Sequence, residues 1–76
     1  MSKNINTIGI TCDNYKRDFF RKGLRKEKLE ITYDGSSSIA GVHIFKIEVE
    51  ESQFVSMQER LRKIITRLDI EFKQSN

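Results

Sequence analysis

The chain has 76 residues, 37% hydrophobic and 33% charged, which is room for one domain with a small core. At this length roughly 60% of the unfolded surface can be buried, so stability is marginal. One cysteine, Cys12, and one histidine, His43, exclude a disulfide framework and leave too few ligands for a structural zinc site. The net charge of +3 comes from 14 basic and 11 acidic residues. It is uneven: Lys16 to Lys28 holds seven basic and two acidic residues, the remainder seven and nine. A local excess of one sign marks a binding face.

The first element is a strand over Ile5 to Cys12, where Ile8, Ile10 and Cys12 alternate with Thr7, Gly9 and Thr11. Asp13 is a preferred N-cap. Tyr15, Phe19 and Phe20 then recur at helical spacing, so a helix runs from about Asn14 to Lys22. Gly23 is read as its stop, with Leu24 folding back toward Phe19. A helix continued to Lys28 is the competing reading, at a cost of about 1 kcal/mol for an internal glycine.

The stretch Gly9-Ile10-Thr11-Cys12-Asp13-Asn14-Tyr15-Lys16, with Phe19 and Gly23-Leu24 after it, resembles the opening of small bacterial and phage proteins of uncharacterised activity. The resemblance implies the strand–cap–helix start and a bacterial or phage setting. It transfers no functional residue.

Leu29, Ile31 and Tyr33 alternate with Glu30 and Thr32, which predicts a second strand with Tyr33 on its buried side. Asp34-Gly35 predicts a turn, extended by Ser36, Ser37 and Ser38 toward Gly41. A third strand spans Val42 to Glu50. His43, Phe45, Ile47 and Val49 share one face; Ile44, Lys46, Glu48 and Glu50 share the other. Ser52 is a candidate cap for a second helix, whose stripe is Phe54, Met57, Leu61, Ile64, Ile65 and Leu68. After Leu68 the alternation of Ile70 and Phe72 predicts a fourth strand, with a longer helix as the alternative.

The order β-α-β-β-α-β is an α+β, ferredoxin-like two-layer sandwich with both helices on one face of an antiparallel sheet. The fallback is β-α-β-β-α. Residues 1–76 read as a single domain, with 1–4 and 74–76 as flexible ends. A single cysteine leads to the expectation of a reducing cytoplasm, and no apolar run suits a signal peptide or a membrane span.

Cys12 reads as a small core residue and His43 as a buried, hydrogen-bonded histidine. Gly35 to Ser38 lacks the lysine and the following helix of a phosphate loop. The outward sheet positions Thr7, Gly9, Thr11, Ile44, Lys46 and Glu48 carry no aromatic, which argues against base stacking on the sheet. No catalytic pair, cofactor, metal or small-molecule ligand is expected, and the chain reads as no enzyme. The positive charge remains. Arg17, Arg21 and Arg25 recur on one side of the first helix, and Arg60, Lys63 and Arg67 on the outer side of the second. Their faces predict a basic surface suited to nucleic-acid phosphates or to an acidic protein. Self-association as a homodimer, through a sheet edge or the open sheet face, is the competing mode.

Overall fold

A computed structural model describes residues 4–75. Strand β1 (Ile5–Asp13) leads through a single 3-10 turn, Asn14–Lys16, into helix α1 (Arg17–Lys26). Strands β2 (Ile31–Ser36) and β3 (Val42–Glu50) follow, then a second 3-10 turn, Glu51–Gln53, and helix α2 (Phe54–Ser75). The sheet order is β1-β3-β2, and both pairings are antiparallel. The described residues are therefore α+β, with three strands and two helices.

One side of the sheet carries the core. Ile10, Phe45, Ile47 and Val49 meet Phe20 and Leu24 of α1 and Leu61, Ile64 and Leu68 of α2, all buried. This is the face that alternation assigned to β1 and β3. Cys12 packs at its margin.

The fourth strand is not formed: α2 continues as one helix of 22 residues through Ser75. Phe72 stays on the helical stripe and meets Tyr15 and Phe19, with ring centroids 5.9 and 5.5 Å apart. That contact satisfies the apolar residue which had argued for a strand, and no glycine or proline interrupts the helix. The cost is Ile70, left 51% exposed. The β-α-β-β-α fallback is the observed order. Gln74 and Ser75 lie in α2, and the Asn4 amide donates to Glu51 at 2.7 Å; residues 1–3 and 76 of the expected flexible ends lie outside the described residues.

Gly23 does not stop α1. It sits mid-helix because a β-carbon there would lie 2.3 Å from a methyl carbon of Leu68. Its lack of a side chain lets the two helices cross closely. The stop comes later, with Lys28 at a φ of 60°. The Lys28 N–H donates to the Arg25 carbonyl at 2.9 Å and the Leu29 N–H to Leu24 at 3.3 Å. This is the Schellman pattern with lysine where glycine is usual. The hydrophobic closure is between Leu29 and Leu24, both buried, and not between Leu24 and Phe19 as the earlier stop required.

Neither expected cap caps in the expected way. Asp13 is the last residue of β1 and makes no side-chain capping bond, while Ser52 lies within the second 3-10 turn. Asp34-Gly35 is not a turn either. Both residues lie in β2, opposite Phe45 and Ile44, and the connection runs over residues 37–41. A bulge explains the difference. Ile31 pairs with Ile47 but Tyr33 with Lys46, so one extra residue is accommodated at Thr32. Beyond the bulge each side chain changes face. Tyr33 moves to the open side and Asp34 to the helix side.

Candidate anion-binding helix face

The helical layer and the sheet have opposite charge. Helix α1 carries five basic residues and one acidic, and α2 carries five and three, a total of +6. Each strand is −1, a total of −3. Both helices cover one side of the sheet, so this separation by element is also a separation by face.

Four of the six expected site residues make internal hydrogen bonds. Arg21 reaches across to β2, where its Nε and Nη2 donate to the two oxygens of Asp34 at 2.5 and 2.8 Å; Nη1 donates to Asp18 at 2.7 Å. Arg60 donates to the Glu27 carbonyl at 2.8 Å, capping the end of α1. Arg67 donates to the Glu27 carboxylate at 2.6 Å and lies 3.3 Å from Glu71. The bond from Arg67, aided by Arg60, holds the Glu27 carboxyl below its usual range against partial desolvation. These arginines join elements together. Arg17 donates to the Asn14 carbonyl at 2.9 Å. Arg25 and Lys63 are exposed and have no ion pair among the described residues.

Three more cations belong to this face. Lys22 and Lys26 of α1 and Arg62 of α2 are exposed and have no ion pair among the described residues. Lys22 and Lys26 face Arg67 across a groove of about 280 Å³ between the helices, whose floor includes Phe19, Gly23 and Leu68. A helix ended at Gly23 leaves Lys26 outside it. Once α1 continues, Lys22 and Lys26 fall on one flank four residues apart. The close crossing at Gly23 then brings them alongside α2.

The other residues singled out in the sequence, Cys12 and His43, lie on the core side of the sheet. Burial, and then the neighbouring Asp13, push the Cys12 thiol up to about 11, so it is protonated at neutral pH and a poor nucleophile. His43 pairs in register with Cys12, but its Nε2 bonds the Asp34 carboxylate at 2.6 Å. His43 is 6% exposed and stacks against Phe45 at 4.8 Å, a core histidine with a satisfied bond. Asp34 thus receives Arg21 and His43 together, and chiefly the Arg21 bonds lower its carboxyl to about 2.

In the loop, the Ser37 hydroxyl both donates to and accepts from the backbone of Ile39 at 3.0 Å, closing a local turn. Among the described residues no cluster of three His, Cys, Asp or Glu side chains is placed to hold a metal ion. The open sheet face does carry an aromatic. Tyr33 is 45% exposed there, with Lys46 Nζ 5.2 Å from its ring centre. It lies over Gly35, where a β-carbon would come within 2.7 Å of its hydroxyl oxygen. Tyr33 thus covers Gly35 of its own strand. Among the described residues no helix is long and apolar enough to cross a membrane.

The chain matches no protein-family model, no curated protein and no solved structure.

Proposed function

We propose that the chain is a non-enzymatic binding module that takes nucleic-acid phosphates on its helical layer. The observation carrying this reading is the +6 helical layer opposed to a −3 sheet. Within that layer Lys22, Arg25, Lys26, Arg62 and Lys63 lack an ion pair among the described residues. Exposed cations that are not consumed internally are the ones available to displace counterions from a phosphate backbone. The absence of a row of aromatics on the sheet favours backbone contact over base reading.

Binding to a DNA or RNA duplex is expected to show little sequence preference. With four or five phosphates neutralised, the logarithm of affinity should fall with the logarithm of salt at a slope of about −4. Lys22→Glu with Lys26→Glu and Lys63→Glu should abolish retention and leave the circular dichroism unchanged. Arg21 is unsuited to this test, because its replacement breaks the bonds to Asp34. Failure of the wild-type chain to bind either nucleic acid at low salt overturns the proposal. The same basic face is then to be tested with an acidic protein.

A further inference from the structure

We propose that β1 is a self-association edge, through which two copies of the chain pair antiparallel into one six-stranded sheet. The sheet has two edges, and they differ. β2 is six residues long, bulged at Thr32, and carries Asp34. Bulges, charge and shortness are the usual protection of an edge. β1 is neither bulged nor short, and its one charge, Asp13, is at its very end. It is nine residues long, pairs with β3 in unbroken register, and has no charge from Ile5 to Cys12. Its side away from β3 has no strand partner among the described residues.

The occupant is read from the sequence of the edge. Thr7-Ile8-Gly9-Ile10-Thr11 is a palindrome centred on Gly9. Antiparallel pairing about a two-fold axis at Gly9 sets each residue against an identical type. Ile8 meets Ile10 of the second copy on the core side, and Thr7 meets Thr11 on the open side. Cross-strand threonine and β-branched pairs are favourable. Asp13 meets Ile5, so the acidic ends do not oppose one another. An isologous contact needs this kind of self-complementarity.

Helix α2 overhangs the same edge. A groove of about 320 Å³ runs between Ile8, Gly9 and Ile10 of β1 and Leu61, Arg62 and Ile65 of α2. In the proposed pair it would receive the isoleucines of the second copy. The paired wall is about 30 Å long for nine strand residues and about 20 Å deep for a sheet plus a helix. That is on the order of 600 Å² per copy, close to the ~800 Å² of a standard interface. The two helical layers would face the same way. Arg62 of each copy would then lie near the axis, a like-charge contact that salt relieves.

The test uses the whole chain without nucleic acid, so its outcome is separate from that of phosphate binding. Sedimentation equilibrium should give twice the 8.9 kDa chain mass, with association strengthened by salt and by Arg62→Ala. Hydrogen exchange of the wild type should show β1 amides protected when concentrated and released on dilution. Thr7 and Thr11 are exposed, so Thr7→Lys with Thr11→Lys should fold and sediment as a monomer. Thr7→Glu with Thr11→Glu should do the same, and mixing the two variants should restore the dimer. A wild-type monomer at millimolar concentration overturns the proposal. So does a lysine variant that remains dimeric, or β1 amides whose exchange ignores concentration.

Discussion

The two flanks of α1 are held by different physics. On one flank Gly23 admits Leu68 of α2 at a distance that leaves no room for a methyl group. On the other, Arg21 reaches down to Asp34, which also bonds His43, through contacts of 2.5 to 2.8 Å at the sheet margin. The first flank is dry contact and depends on volume. The second is ionised and partly wet, with side-chain exposures of 27% at Arg21 and 25% at Asp34. Contact of the first kind responds to side-chain size and hardly to pH. Contact of the second kind tolerates changes of size and responds to protonation.

The largest expected effect breaks the dry flank. Leu68→Ala should cost about 2–5 kcal/mol as a core truncation. Gly23→Ala should also destabilise, by about 1–2 kcal/mol, although alanine is the better helix former. The decisive measurement is the double variant. Its new methyl group occupies space vacated by Leu68, so urea denaturation should give a loss smaller than the sum of the two singles. Additive losses would mean that Gly23 is not there to admit Leu68.

The wet flank should yield to acid. The Asp34 carboxyl is lowered from its usual 3.8 to about 2 in the folded chain, first by the Arg21 bonds. The folded state therefore prefers the ionised form, and the unfolded state binds the proton more readily. The stabilisation is present above pH 4 and is lost as pH falls from 4 toward 2. Solvent screening reduces it to about 1 kcal/mol. Asp34→Asn should remove that part of the acid-induced loss and leave the rest of the profile in place. A variant whose stability falls between pH 4 and 2 as steeply as the wild type would disprove this role. The dry flank offers the control, since Gly23→Ala should leave the acid slope unchanged.

The same contrast explains what could be read from the sequence. Positions whose fate depends on periodicity alone were legible: Ile10, Phe45, Ile47 and Val49 face the helices, and Leu61, Ile64 and Leu68 face the sheet. Thr7, Gly9, Thr11, Ile44, Lys46 and Glu48 face out. Positions whose fate depends on a partner distant in sequence were not. Gly23 carries a stop signal in local terms and becomes a contact only when α2 lies against it. Tyr33 and Asp34 exchange faces because of a bulge at Thr32, and β-branched threonine gives no local mark of one. Phe72 alternates with Ile70 as a strand would, but Tyr15 and Phe19 wait for it on the helical side. The cationic site was half legible for the same reason. Charge at Arg21, Arg60 and Arg67 was visible, whereas their partners Asp34 and Glu27 are 13, 33 and 40 residues away. Lys22 and Lys26 needed α1 to run past Gly23 before they could share a flank.

The smallest expected effect sharpens the comparison at the point where both flanks end. Lys28 closes α1 in the left-handed region, at a φ of 60°, where a β-carbon is crowded. Glycine has no such crowding, and for other residues the conformation costs roughly 1 kcal/mol or more. Glycine also loosens the unfolded chain, which offsets part of the gain. Removing the lysine forfeits its favourable charge at a helix C-terminus as well. Lys28→Ala loses that charge too and keeps the β-carbon, so the difference between the two variants isolates the backbone. Lys28→Gly should exceed Lys28→Ala in stability by about 1 kcal/mol, seen as a higher urea midpoint at equal slope. Equal midpoints would show that the left-handed closure carries no strain. The result should be the same at pH 3 and pH 7, because neither flank of α1 is altered by it.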